Sequence, residues 1–249
     1  MAGIRTPAHV PWVTGRRRHF AAVVGAVLAL MASVNLFDHF GSARVGLVLG
    51  PAVAAALVVL SRRSGLTWDD LGLARHSWRR GLLIAAGSVA LVAAVYAVAA
   101  ALPETRLAFV DPRYQEPLGR ALFTALVVIP LGTVLIEEIA FRGVLMGLLT
   151  RRRGARWGLG VSSGLFGVWH VLPSLALGGN AAVRAVAGFG GTARLLVVCA
   201  AVLFTAVAGV LLGELRRRSG SLLASAGLHW AVNGVGVLFT AVLVGLRAA

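Results

Sequence analysis

Glu137 and Glu138 stand side by side with Arg142 four residues on, and no other charged residue occurs between positions 121 and 150. An ionised side chain near a bilayer centre costs roughly 2.5–3.5 kcal/mol on insertion scales, so three within six residues must be neutralised, paired or used. Two histidines, His170 and His229, also fall inside apolar runs, and Asn233 follows His229 by one helical turn. Carboxylates and imidazoles held in a low-dielectric site do proton chemistry: a carboxylate can take a proton from water and deliver it to a leaving amine. Ring and amide N–H donors such as His229 and Asn233 can stabilise the oxyanion that forms on the way.

A metal is the rival arrangement. Glu137, His170 and His229 make a zinc set with an open position for water, although the H-E-x-x-H helix is absent. Two cofactor states stay open, none or zinc. The run Gly160-Val161-Ser162-Ser163-Gly164 matches G-x-S-x-G, but the strand that a nucleophile elbow requires is missing. No aspartate pair lies within a span, which removes aspartyl chemistry.

Local spacing assigns roles within the cluster. Glu138 and Arg142 are i,i+4 and form an internal ion pair, whereas Glu137 is rotated about 100° and faces a different neighbour. Phe166 and His170 share a helix face, as do His229 and Asn233.

The elements that must position these residues are membrane helices. The 249 residues are 58% hydrophobic and 13% charged, with mean hydropathy +0.85, which is the composition of a polytopic membrane protein. Apolar stretches occur at about 20–37, 44–60, 81–102, 118–149, 158–176, 192–213 and 220–246, against the roughly 20 residues that a bilayer requires. The expected fold is therefore all-α, a bundle of seven transmembrane helices. An eighth would arise if Pro130 and Gly132 divided the long fourth span. Three regions are expected: a cytoplasmic arm over 1–19, N-terminal membrane helices over 20–117 and a catalytic membrane core over 118–249. Arg16-Arg17-Arg18 before the first apolar run resembles an export signal, but with further spans behind it the run reads as an uncleaved anchor.

Depth brings the polar residues together. Glu137 lies 13 residues from Thr150, His170 lies 13 from Trp157 and His229 lies 10 from Ser219, or about 20, 20 and 15 Å at the helical rise. Alternating spans thus carry Glu137, Glu138, His170, His229 and Asn233 to nearly one level. Small-residue pairs at Gly143/Gly147, Gly160/Gly164 and Gly209/Gly213 would let helices approach closely.

Charge sets orientation. All 24 basic residues are arginine. Sixteen fall on one side (Arg5, 16–18, 62, 63, 75, 79, 80, 151–153, 156 and 216–218) and seven on the other, so the amino terminus is expected to be cytoplasmic. The exclusive use of arginine, with abundant alanine and glycine, points to a GC-rich bacterial gene. The net charge of +15 is distributed at span ends and not on an interaction surface, which argues against a nucleic-acid partner. Trp12, Trp68, Trp78 and Trp157 are expected as interface anchors, and Glu214 as a partner of Arg217 or Arg218. Cys199, the one cysteine, has no partner for a disulfide.

Three motifs resemble those of the CAAX protease and bacteriocin-processing (CPBP) family of intramembrane endopeptidases. These are Glu137-Glu138-Ile139-Ala140-Phe141-Arg142 as E-E-x-x-x-R, Phe166-Gly167-Val168-Trp169-His170 as F-x-x-x-H and His229-Trp230-Ala231-Val232-Asn233 as H-x-x-x-N. The resemblance covers about residues 118–246. It implies a membrane bundle with a conical cavity open to the cytoplasm, in which Glu137 and His170 activate water. It also implies that His229 and Asn233 stabilise the oxyanion and that Glu138 and Arg142 shape the site. The implied partners are membrane lipid and a membrane-associated protein or peptide substrate. From the residues alone a proton-coupled transporter and a non-catalytic immunity protein remain as alternatives, the first without a visible inverted repeat.

Overall fold

Apolar helices fill the chain because a bilayer offers no partner for backbone N–H and C=O groups, and a helix satisfies them within the segment. The computed structural model describes residues 14–40, 43–106, 109, 117–175, 177 and 191–248. Two long helices come first, α1 (Thr14–Phe40) and α2 (Ala43–Arg63). A short α3 (Trp68–Leu71) and a 3-10 turn (Arg75–Ser77) lead into α4 (Trp78–Ala101) and α5 (Pro103–Arg106). The continuous α6 (Leu118–Arg153) is followed by α7 (Ala155–Trp169), α8 (Val171–Ser174), α9 (Gly191–Ser219) and α10 (222–248). The described residues are all-helical, and the protein is a polytopic helical membrane bundle.

Among the described residues six helices are long and apolar enough to cross a membrane, in α1, α2, α4, α6, α9 and α10. The fifth expected span, 158–176, is built as the 15-residue α7 and then a break. Pro173 explains the break, since a proline in a continuing helix would clash with the carbonyl four residues back, that of Trp169. His170 leaves the helical path at φ −83° and ψ 4°, and the freed Trp169 carbonyl instead accepts a 2.9 Å hydrogen bond from Asn35 Nδ2 of α1.

Pro130 does not divide α6. The helix widens into π geometry over Thr124–Val134 and again over Glu138–Leu145, and α10 does the same over Ala231–Val235. Widening loosens the regular carbonyl pairing, and π turns are frequent at functional sites. In each π segment a side chain from another helix reaches a carbonyl: Trp230 Nε1 to Ala125 at 2.7 Å, Ser162 Oγ to Phe141 at 2.6 Å and Tyr96 Oη to Val232 at 2.9 Å. These cross-helix bonds fix the rotation of α6 and α10 about their axes.

The main core joins both sides of residue 117. Val23, Val27, Met31 and Val34 form a stripe on α1 that packs with Leu57 of α2, Ile136, Phe141 and Leu145 of α6, and Phe166 and Trp169 of α7. Close approach matters more here than hydrophobic drive, because lipid is as apolar as the core. A Cβ on Gly167 would stand 2.6 Å from the Val202 carbonyl of α9, and one on Gly209 would stand 3.1 Å from Ser163 of α7. The Gly160/Gly164 pair faces open space, so that pair does not serve helix approach.

At the arginine-rich end, the loop between α2 and α4 is clamped under the bundle. Thr67 and Asp70 form a capping box, Arg151 bridges to Asp70 Oδ2 at 2.9 Å, and Arg216 donates to the carbonyls of Asp69 and Asp70. Gly72, in the left-handed region at φ 72°, accepts from Leu222 N and seats the turn between α9 and α10. Trp68, Trp78 and Trp157 are each about half exposed at span ends, as interface indoles are. Trp12 and Arg5 lie outside the described residues.

Candidate active site

The second π segment of α6 begins at Glu138, so the helix widens just where its two carboxylates stand. Both are buried, Glu137 at 5% exposure and Glu138 at 1%. Their surroundings differ. Glu138 Oε1 accepts from His229 Nδ1 at 2.9 Å and lies 3.1 Å from Arg142 Nη1, so the local pair expected from i,i+4 spacing is present and a histidine from α10 completes it. Arg142 is itself only 2% exposed, and its guanidinium stacks 3.8 Å above the Phe166 ring.

Glu137 takes other partners. Its Oε1 accepts from Trp169 Nε1 at 2.9 Å, while its Oε2 faces His229 Nε2 at 3.6 Å and has no hydrogen-bond partner among the described residues. A separation of 3.6 Å is too long for a hydrogen bond.

His229 thus touches both carboxylates, one through each ring nitrogen. A carboxylate accepts, so Nδ1 carries a hydrogen toward Glu138. His170 lies beside this group and not within it. Its Nδ1 donates to the Phe166 carbonyl at 2.8 Å, which leaves Nε2 as the acceptor of a neutral ring. No hydrogen bond or ion pair joins His170 to Glu137 or Glu138 among the described residues, and its ring instead packs 4.6 Å from that of Phe166. Phe166 also meets the His229 ring at 5.9 Å and the Phe141 ring at 5.2 Å. It is the apolar hub around which the polar residues are arranged.

Asn233 is half-buried at the centre of the third π segment. Tyr96 grips the preceding carbonyl, that of Val232, so the backbone beside Asn233 is anchored. No bond to its side-chain amide occurs among the described residues.

Trp169 and Tyr96 were not among the residues singled out from sequence. Trp169 carried a signal, because a buried indole N–H needs an acceptor and this one directly precedes His170. Tyr96 carried none, as only the third dimension brings α4 to α10. Ser162, the serine of G-x-S-x-G, is buried and donates to the Phe141 carbonyl, which gives it a structural task. Glu214 pairs with Arg217 and Arg218 as expected from spacing.

The donor set fits zinc poorly. No group of three histidine, cysteine, aspartate or glutamate side chains converges as metal ligands among the described residues.

A polytopic membrane bundle with a buried carboxylate, imidazole and guanidinium cluster at its centre defines a class of integral membrane protein with a built polar site. Residues 119–235 match the family described as type II CAAX prenyl endopeptidase Rce1-like. That core spans every residue of the cluster, and through it the chain is similar to the Rce1-like family, which supports an intramembrane CAAX-type protease. Such a protease works in membrane lipid on a peptide or protein substrate. No curated protein and no solved structure matches the chain.

Proposed function

We propose that the protein is a glutamate-type intramembrane endopeptidase in which Glu137 is the general base. The observation that carries this reading is the unequal treatment of the two oxygens of Glu137. One is fixed by Trp169, and the other is buried, unpartnered and turned toward His229. A buried acceptor without a partner costs about 1–3 kcal/mol, so it is retained where something binds.

In this mechanism a water bound at Glu137 Oε2 loses a proton to that carboxylate as it adds to the scissile carbonyl. His170, with Nδ1 committed to Phe166, offers Nε2 as a second acceptor that orients the same water. The carbonyl becomes an oxyanion and accepts from the Asn233 amide and from the His229 ring, which Glu138 orients. Glu137 then passes its proton to the leaving nitrogen, the C–N bond breaks and the carboxylate is restored. Arg142 offsets the charge of Glu138 and is itself stacked on Phe166. The arginine-rich end faces the cytoplasm in this reading, following the distribution of basic residues.

The test is a comparison of membranes from cells carrying the parent or Glu137→Gln. Substrates should accumulate uncleaved in the variant, and cleavage should return with the parent. Equal cleavage by both proteins would exclude Glu137 as the base and favour a non-catalytic role.

A further inference from the structure

Between the arginine-rich ends of α1, α2 and α6 lies a cavity of about 380 Å³ that the proteolytic reading does not use. Arg63, Arg151 and Arg152 line it together with Phe20, Val23 and Leu148, and no acidic residue does among the described residues. Leu148 lies 11 residues beyond Glu137 on α6, or about 16 Å along the helix, so this is a separate place.

The charges around it are unequally committed. Arg151 is engaged by Asp70 and the Gly65 carbonyl. Arg152 stacks 4.7 Å over the Phe20 ring, and Arg63 is exposed with neither a hydrogen bond nor an ion pair to a described residue. Two positive charges thus face the cavity without a carboxylate to offset them, beside an apolar wall.

Arg63 closes α2, Arg151 and Arg152 fall in the last turn of α6, and Phe20 lies near the start of α1, which sets the cavity at the headgroup level. A soluble anion has no use for the apolar wall, and a neutral lipid has none for the arginines. At about 30 Å³ per water-sized group the space admits roughly a dozen non-hydrogen atoms, the size of a phosphate with its glycerol.

We infer that this cavity is a binding site for an anionic glycerophospholipid, with the phosphate between Arg63 and Arg152 and the glycerol against Phe20, Val23 and Leu148. The acyl chains remain in the surrounding bilayer. Such a lipid would tie α1 to α2 and α6 at the end where this cavity lies.

The test uses the full chain, released from nanodiscs and weighed intact to read bound lipid. One phosphatidylglycerol should be retained in preference to phosphatidylcholine. Its affinity should fall about fivefold in Arg63→Gln, whose side chain is exposed and unpartnered, and about thirtyfold in Arg63→Gln/Arg152→Gln. Arg63→Lys/Arg152→Lys should keep most of the binding. Arg80→Gln, which removes an exposed arginine outside the cavity, should bind as the parent does. Equal retention of phosphatidylcholine, a double variant within threefold of the parent, or a loss in Arg80→Gln as large as in Arg63→Gln would overturn the site. Displacement of the lipid by millimolar inorganic phosphate would overturn it in favour of a simple anion site.

Discussion

Two polar regions share α6, the cluster around Glu137, Glu138 and Arg142 in its middle and the clamp around Arg151 at its end. In the clamp most charge is spent on backbone. Arg151 reaches the Gly65 carbonyl, and Arg216 reaches those of Asp69 and Asp70, with only its Nε left over. In the middle, Glu137 Oε2 and Arg142 Nη2 lack hydrogen-bond partners among the described residues although both are buried. Bonds to carbonyls hold a loop in place and leave nothing to react. Unspent capacity at the centre is what a reaction can draw on, and burial makes it costly to keep.

The sharpest way to break this contrast is Glu137→Gln, which keeps the shape and the acceptor for Trp169 but removes the base. Cleavage should fall by about 10²–10⁴-fold, the usual contribution of a general base, with thermal stability in detergent little changed. A parallel collapse of stability would instead assign Glu137 to the structural class.

Arg142→Ala should do the reverse. It leaves Glu138 buried without its cation, at a cost of about 3–5 kcal/mol, read as a large drop in melting temperature. Arg216→Ala, in the clamp, removes a buried cation that donates to two carbonyls but leaves no buried carboxylate unpaired, and should cost less, about 1.5–3 kcal/mol by the same measurement. If the order were inverted, the clamp and not the central cluster would be the costlier place to disturb.

Trp169→Phe keeps an edge-to-face ring contact with Phe141 and deletes the indole N–H that holds Glu137 Oε1. Freeing that oxygen should lower kcat about tenfold while leaving KM close to the parent's, since a bond to a charged group is worth about 1.5–3 kcal/mol and water can replace part of it. Tyr96→Phe releases the Val232 carbonyl beside Asn233 and should cost about 1 kcal/mol of stability, the smallest of these effects. Chelation tests the donor set directly, with activity expected to survive and stoichiometric zinc lost together with activity as the overturning result.

Much of this was legible without coordinates. The bundle follows from apolar length, and the Glu138–Arg142 pair from spacing within one helix, because both rest on the period of a single element. The common depth of Glu137, His170 and His229 followed from counting residues. Rotation about each helix did not. Nothing local says that α10 turns His229 between two glutamates while α7 turns Trp169 onto one of them and leaves His170 to one side. The π segments also escaped notice, since widening depends on side chains that arrive from elsewhere.

The sequence by itself determined that charge would be buried at one level of a helical membrane bundle, since apolar length and local spacing are properties of single segments. Only the tertiary structure decided which oxygen of which glutamate is left unpartnered. That choice depends on Trp230, Ser162 and Tyr96 fixing the rotation of α6 and α10 through carbonyls that no local pattern marks.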